Sequence, residues 1–241
     1  MNAEQSAGRP GPAAEKVKQI FSEVAHGYDR ANAWMTFGLV KGWRRELVRW
    51  SGAGPGDTVL DCATGTGDLA LAFKEAVGTG GRVIGTDFCE AMLEIAPEKA
   101  AKRGLEVDFE PADVLALPYA DESFDVVSIA YGIRNVEDPR RALAEMARVC
   151  KPGGRILVLE TGTNERGWAG RLHWWFSEYG VPFLGSLMTG RRKPYEYLRD
   201  SSRAFPSREA FTGLMKEAYL FRSAEYKSLC LGASFLYRGE I

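Results

Sequence analysis

Short apolar runs alternate with helical stretches between residues 57 and 160, and this alternation limits the fold more than any other feature of the chain. A strand that helices cover on both faces appears as a short, continuous apolar run, and such strands assemble into parallel sheets. The predicted strands of this region are 58–62, 82–86, 107–109, 124–130 and 155–160. The predicted helices between them are 68–77, 89–102 and 139–150. The alternation therefore predicts an α/β protein with a doubly wound, mostly parallel sheet.

The segments outside this region add helices and two further strands. They are predicted as a flexible tail over 1–14, a helical preface over 15–50, an aromatic insertion after strand five over 163–203, and a helix with two strands over 207–241. The two strands, 224–229 and 233–237, are predicted to form an antiparallel pair at the sheet edge. No internal repeat or low-complexity block occurs, so we expect residues 1–241 to form a single domain with a seven-stranded sheet.

Composition and charge exclude several classes of protein and partner. Lysine and arginine total 31 against 32 aspartate and glutamate, so no basic excess attracts phosphate backbones and we expect no nucleic-acid partner. The 4 cysteines are far apart and there are 2 histidines, which indicates neither a disulfide framework nor a metal site. No apolar stretch approaches the ~18 residues of a membrane span, and the N-terminus lacks the apolar core of a signal peptide. We therefore expect a cytoplasmic protein.

One predicted strand ends in an acid and opens into a glycine turn, in the stretch 59–68, VLDCATGTGD. Gly65 and Gly67 would let a ligand approach the backbone, and the following helix would present its N–H groups there. Asp87 ends the next strand, twenty positions after Gly67, where a carboxylate can accept both hydroxyls of a ribose. Sites that bind a dinucleotide and sites that bind an adenosine both have these features. Asp61, however, would repel phosphates and would suit an ammonium and a sulfonium, which favours S-adenosylmethionine.

Further landmarks resemble, in order, those of the class I S-adenosylmethionine-dependent methyltransferases. They are Ala112-Asp113, Leu117-Pro118-Tyr119, Phe124-Asp125-Val126-Val127 and Lys151-Pro152-Gly153-Gly154. The resemblance implies a Rossmann-like fold with a cofactor-binding core over 57–160. Carried over position by position, it implies cofactor contacts at Thr66, Asp87, Asp113, Val114 and Ala130, beside Asp61, Gly65 and Gly67.

Four stretches resemble, more narrowly, the ubiquinone/menaquinone biosynthesis C-methyltransferases. They are Tyr28-Asp29-x-x-Asn32, Gly132-Ile133-Arg134-Asn135, the run from Arg148 to Glu160, and Tyr195-x-Tyr197-Leu198-x-x-Ser201. The resemblance implies methylation of a ring carbon of a prenylated quinol, either demethylmenaquinol or a benzoquinol of ubiquinone synthesis. The chain departs from the family pattern at Ala31, Val40, Thr161-Gly162, Tyr219 and Tyr237. These departures leave open another small hydrophobic acceptor, and an NAD(P)-binding oxidoreductase is the remote alternative.

The chemistry of this acceptor assigns roles to residues of the matched motifs. A quinol becomes nucleophilic at carbon when a ring hydroxyl loses its proton or is strongly hydrogen-bonded. Arg134 is predicted to stabilise the developing phenolate, Asn135 and Tyr28 to orient the acceptor, and Asp29 to be a candidate base.

The aromatic insertion has two interpretations. Its aromatic residues include Trp168, Trp174, Trp175, Phe176, Tyr179 and Phe183, and a basic triplet, Arg191-Arg192-Lys193, follows. The aromatic residues could cover a prenyl tail while the triplet faces anionic headgroups, which predicts peripheral membrane contact. Alternatively, the segment is a packed pair of accessory helices. A homodimer also stays open.

Overall fold

A computed structural model describes residues 14–162, 175–190, 193–217 and 221–241. Some residues named in the sequence predictions lie outside these ranges. They are residues 1–13 of the predicted tail, Trp168, Trp174, Arg191, Arg192 and Tyr219.

Seven strands of the described residues form one sheet in the order β3-β2-β1-β4-β5-β7-β6. The strands are β1 (Thr58–Cys62), β2 (Arg82–Asp87), β3 (Asp108–Pro111), β4 (Phe124–Ala130), β5 (Cys150–Thr161), β6 (Ser223–Leu229) and β7 (Ser234–Glu240). Strands β1 to β5 pair in parallel, and β7 lies antiparallel between β5 and β6. The predicted fold class, including the antiparallel pair at the edge, is confirmed.

Helices cover both faces of the sheet and precede it in the chain. They are α1 (Ala14–Met35), α2 (Leu39–Ser51), α3 (Asp68–Val77), α4 (Glu90–Leu93), α5 (Ala96–Arg103), α6 (Pro139–Val149), α7 (Val181–Thr189), α8 (Lys193–Ala204) and α9 (Glu209–Glu217). A 3₁₀ turn covers Ile133–Asn135 and a π-helical turn covers Phe176–Gly180. None of the described helices combines the length and the apolar character needed to span a bilayer.

The helix predicted over 89–102 is two helices, which is a correction. Helix α4 ends at Leu93, α5 begins at Ala96, and Pro97 lies in the first turn of α5. Proline has no N–H to donate to the preceding turn, and its ring clashes with that turn, so it starts a helix more readily than it continues one.

Strand β5 begins at Cys150, earlier than the predicted start at Arg155. Its pairing with β4 passes from Phe124–Cys150 to Val126–Arg155, so residues 151–154 form an irregularity opposite a single residue. Gly153 has a φ of 77°, a left-handed conformation that a residue without a Cβ adopts at little cost. Residues 151–154, which lie between the predicted helix 139–150 and the predicted strand 155–160, are therefore enclosed within the strand.

Alternate residues of the central strands pack against opposite helical layers. Val59 and Val126 join the cluster that α2 and α3 cover, whereas Leu60 and Val127 join the cluster that α6 and α9 cover. All four side chains are fully buried, and each contributes about 1.5–3 kcal/mol by leaving water. Core packing thus covers both faces of the sheet, so a ligand site can form only at an end of the strands.

Candidate functional site

A cavity lies at the carboxyl ends of the parallel strands, where the strand order reverses between β1 and β4. Its volume is about 1090 Å³, including its open mouth. Segments that follow β1, β2, β3 and β4 line it, and residues of α1 and Arg44 of α2 complete the wall. Ligands of open α/β sheets bind at this switch point, so the topology alone places the candidate site here.

Most of the predicted cofactor residues lie on this cavity. Those that line it are Asp61, Gly65, Thr66, Asp87, Asp113, Val114 and Ala130. Gly67 is not among the lining residues that the structure describes. Gly67 is instead the N-cap of α3, with a φ of 84°, and a Cβ there would lie 2.9 Å from a ring carbon of Phe109 and 3.0 Å from the Cβ of Ala96. Its conformation and packing give Gly67 a turn and packing role, and its cofactor contact stays a prediction.

Two carboxylates end the strands on either side of the glycine turn. Asp61 accepts hydrogen bonds of 2.7 Å from the hydroxyls of Thr64 and Ser128. Burial raises the pKa of Asp61 to about 6, and these two hydrogen bonds oppose the shift. Within the described residues, its hydrogen-bond donors are neutral, so this buried carboxylate suits a cationic group of a ligand.

Asp87 holds the backbone around the cavity in place. Its carboxylate accepts from the backbone N–H of Gly65 at 2.8 Å and of Cys89 at 2.9 Å. Burial raises the pKa of Asp87 to about 6, and the backbone hydrogen bonds oppose the shift. Each carboxylate oxygen can accept a second hydrogen bond, so the side chain fits the two hydroxyls of a ribose.

Thr66 lines the cavity, but its hydroxyl is used elsewhere. It donates to Asp29 Oδ1 at 2.6 Å and accepts from Lys99 Nζ at 3.0 Å. Asp29 also accepts from Lys99 at 2.7 Å, and it is not among the described lining residues. The structure therefore does not place Asp29, the predicted base, where it could reach an acceptor in the cavity.

Tyr28 and Asn135 line the cavity beside the cofactor residues, as their predicted orienting role requires. Asn135 accepts from the Tyr197 hydroxyl at 3.0 Å and donates to the Tyr131 carbonyl at 3.1 Å, so both ends of its amide are held. Burial raises the pKa of Tyr28, and a hydrogen bond with Asn32 opposes the shift. Tyr28 therefore stays a neutral hydroxyl that can donate or accept.

Arg134 differs most from its predicted position. It is not among the described lining residues, and it forms an ion pair with Glu160 inside the protein, where the two side chains are 5% and 0% exposed. Burial alone would lower the pKa of Arg134, but the Glu160 carboxylate outweighs this and raises it. In the described structure, Arg134 Nε and Glu160 Oε2 have no hydrogen-bond partner. The guanidinium thus lies behind the cavity wall with its charge balanced.

Tyr131 and Arg44 are among the lining residues that the sequence predictions did not name. Tyr131 follows β4 with a φ of 56°, a strained conformation for a tyrosine, and the charge of Arg134 lies 5.9 Å from its ring centre. Arg44 of α2 lines the cavity and donates to Asp68 at 2.6 Å. Tyr131 stands directly before the Gly132-Ile133-Arg134-Asn135 motif, which is the signal that could have found it. No feature of the neighbouring sequence distinguishes Arg44 from the other arginines of α2.

Known methyltransferases are similar to this chain in sequence and in fold. The sequence matches the model of the ubiE/COQ5 methyltransferase family over residues 11–240. It is 51% identical over 230 residues to the ubiquinone/menaquinone biosynthesis C-methyltransferase UbiE of Bdellovibrio bacteriovorus, covering 95% of this chain and 97% of that protein. It is 43% identical over 221 residues to the demethylmenaquinone methyltransferase of Thermus thermophilus, covering 92% and 99%. The fold resembles the crystal structure of a SAM-dependent methyltransferase from Aquifex aeolicus, with a TM-score of 0.60 at 22% identity, covering 81% and 88%.

Proposed function

The chain belongs to the ubiE/COQ5 methyltransferase family, and from this premise we propose that it transfers the methyl group of S-adenosylmethionine to a ring carbon of a prenylated quinol, demethylmenaquinol first of all. One observation carries the proposal: a single cavity is lined by Asp61 and Asp87 and also by Tyr28 and Asn135. The cofactor residues therefore share one cavity with two of the four predicted acceptor residues, as direct methyl transfer requires.

The cofactor half of the cavity has groups for each part of S-adenosylmethionine. When bound, S-adenosylmethionine supplies a methyl group on a positively charged sulfur. Asp61 would hold the ammonium group, and Asp87 would accept the ribose hydroxyls. Asp113 and Val114 line the cavity after β3, where they would contact the adenine, and Gly65 leaves the backbone open beside them.

The acceptor half orients a ring hydroxyl and favours its ionised form. Tyr28 and the amide of Asn135 are held by neighbours and would hydrogen-bond the quinol oxygen. Arg134 lies close enough to Tyr28 for its charge to act on that hydroxyl. Arg134 would make the electric potential at the acceptor oxygen more positive as the phenolate develops, an effect that the paired Glu160 carboxylate reduces.

Methyl transfer from labelled S-adenosylmethionine to chemically reduced demethylmenaquinone tests the proposal. A demethylated benzoquinol is assayed in parallel to identify the ring, and each oxidised quinone is the control because it lacks the nucleophilic quinol. We expect label in a reduced acceptor only. Label in neither quinol, from enzyme that binds the cofactor, would contradict the proposed acceptor.

Cofactor affinity should depend on pH through Asp61. Its pKa of about 6 means that the carboxylate is largely ionised at pH 7.5 and becomes neutral as the pH falls below 6. Since the ionised form attracts the ammonium group, affinity for S-adenosylhomocysteine should fall about tenfold per pH unit below 6. Isothermal titration between pH 5 and 7.5 measures this. Asp61→Asn should make the profile shallower without flattening it, because Asp87, which would accept the ribose hydroxyls, also has a pKa of about 6. A flat profile in the native chain would contradict the role of Asp61.

Exposed apolar side chains support contact with a membrane, where prenyl tails reside. Trp34, Phe37 and Leu39 lie at the junction of α1 and α2, with exposed fractions of 62%, 75% and 45%. Trp175, Tyr179 and Phe183 of the insertion are 57%, 56% and 66% exposed. Helix α1 packs against α7, so the two groups belong to adjoining elements. We call these six residues the apolar rim, and it contacts the bilayer surface without spanning it.

Substitution in the apolar rim should affect long-tailed acceptors selectively. Trp175→Ala with Phe183→Ala should lower kcat/KM for a prenylated quinol in lipid vesicles about tenfold, because apolar contact with lipid is lost. The kcat/KM for a quinol without a prenyl tail should not change. Leu231→Ala, at a side chain that is 72% exposed on the hairpin between β6 and β7, is the matched control. Equal loss for both acceptors would contradict membrane contact through this surface.

A further inference from the structure

The Asp29 carboxylate joins helix α1 to the glycine turn. It accepts from the Thr66 hydroxyl at 2.6 Å and from Lys99 Nζ at 2.7 Å. Lys99 also donates to the Thr66 hydroxyl at 3.0 Å, so the three groups close a triangle. The Asp29 side chain is 38% exposed and that of Lys99 is 20% exposed, so water screens this ion pair only in part.

The same lysine extends the contact into the body of the protein. Lys99 of α5 forms an ion pair with Asp68, the first residue of α3, and Asp68 accepts from Arg44 of α2 at 2.6 Å. Although burial alone would raise it, the charges of Arg44 and Lys99 hold the pKa of Asp68 below its ordinary value. Arg103 of α5 also pairs with Asp68 at 3.9 Å and with Glu75 of α3 at 3.6 Å. Three carboxylates and three cations therefore form a balanced cluster that unites α1, α2, α3, α5 and the turn.

This cluster connects elements that line the two halves of the cavity. Thr66 lines the cavity within the turn that receives the cofactor, and Tyr28, the residue before Asp29, lines it on the acceptor side. The position of Tyr28 depends on the position of α1, and near Tyr28 the carboxylate of Asp29 connects α1 to the turn. A ligand that fixes the turn would therefore act, through this contact, on the helix that presents Tyr28.

We propose that Asp29 is a positioning residue that couples cofactor binding to acceptor binding, by tying helix α1 to the glycine turn through Thr66 and Lys99. This inference rests on the proposed function, which places both ligands in one cavity, and it replaces the role of Asp29 as a base. Thermodynamic linkage makes such coupling reciprocal: the cofactor tightens acceptor binding by the same factor as the acceptor tightens cofactor binding.

Isothermal titration of the full chain with two ligands that cannot react tests the coupling. S-adenosylhomocysteine represents the cofactor, and 2-methyl-1-naphthol, whose carbon beside the hydroxyl already carries a methyl group, represents the acceptor. In the native chain, saturating S-adenosylhomocysteine should tighten naphthol binding about tenfold, and the converse titration should give the same factor. In Asp29→Ala the factor should fall below about twofold, while each ligand alone binds within about threefold of the native affinity.

A second variant and a matched control separate coupling from loss of structure. Thr66→Val removes the hydroxyl at the other end of the contact and should also reduce the coupling, even if Asp29→Ala does not fold. Lys18→Met removes an exposed 3.3 Å ion pair between α1 and Glu90 of α4 and should leave the coupling intact. Circular dichroism confirms that each variant is folded.

The outcomes distinguish this inference from the proposed function. Coupling that persists in folded Asp29→Ala and Thr66→Val, or that Lys18→Met removes equally, would overturn the role of Asp29. Native protein that binds both ligands without coupling would overturn it as well, while the proposed function would stand. Native protein that binds S-adenosylhomocysteine but no naphthol would contradict the proposed acceptor, and the inference with it.

Discussion

Asp87→Ala should weaken the binding of S-adenosylmethionine at least about a hundredfold. The carboxylate would lose two charge-assisted hydrogen bonds to the ribose, each worth about 1.5–3 kcal/mol, and every 1.4 kcal/mol is a factor of ten in affinity. The substitution also releases the backbone N–H groups of Gly65 and Cys89, which Asp87 holds at 2.8 and 2.9 Å. Titration calorimetry with S-adenosylmethionine and with S-adenosylhomocysteine measures the loss.

A matched control for this variant lies on the neighbouring strand. Asp108 begins β3, at the opposite end of the strands from the cavity, and pairs with Arg82 on the exposed surface at 2.9 Å. Asp108→Ala removes the same side chain and should leave cofactor affinity unchanged. An affinity of Asp87→Ala within about fivefold of the native value would mean that the ribose is held elsewhere.

Arg134→Ala should lower both turnover and stability. The potential that favours the ionised acceptor is weakened, and turnover should fall about tenfold. This is less than the roughly 10²–10³ in kcat typical of a donor that touches the oxyanion, because Arg134 does not line the cavity and is paired with Glu160. Affinity for S-adenosylhomocysteine should stay close to the native value, because Arg134 does not line the cofactor half of the cavity. The free energy of unfolding should fall by about 3–5 kcal/mol, because Glu160, which is 0% exposed, would be left as an uncompensated buried charge.

A double variant separates these two effects. Arg134→Met with Glu160→Gln removes both charges at similar volume, so most of the lost stability should return. Turnover should stay low, because the guanidinium is still absent. Urea unfolding gives the stability, and transfer of labelled methyl groups gives the turnover. If the double variant regained both, Arg134 would matter only for folding.

The sequence by itself predicted the architecture and the cofactor half of the site. Strand and helix periodicity is a local property, because burial on one face repeats along each element. It located all seven strands of the described part of the chain. Asp61, Gly65 and Asp87 were predicted because ligands of such sheets bind at the carboxyl ends of the strands, and the structure places all three on the cavity. The boundary between α4 and α5 was missed although Pro97 marked it, because the apolar pattern continues across the break.

Only the tertiary structure decided what the charged groups of the acceptor half do. The partners of Asp29 are 37 and 70 residues away, Arg134 meets Glu160 across 26 residues, and Tyr197 meets Asn135 across 62. A hydrogen bond or ion pair depends on separations of a few ångströms, which the folding of distant segments creates and no local pattern encodes. Arg134 and Asp29 were therefore identified from their motifs, whereas the ion pair of one and the helix-to-turn contact of the other became visible only in the folded chain.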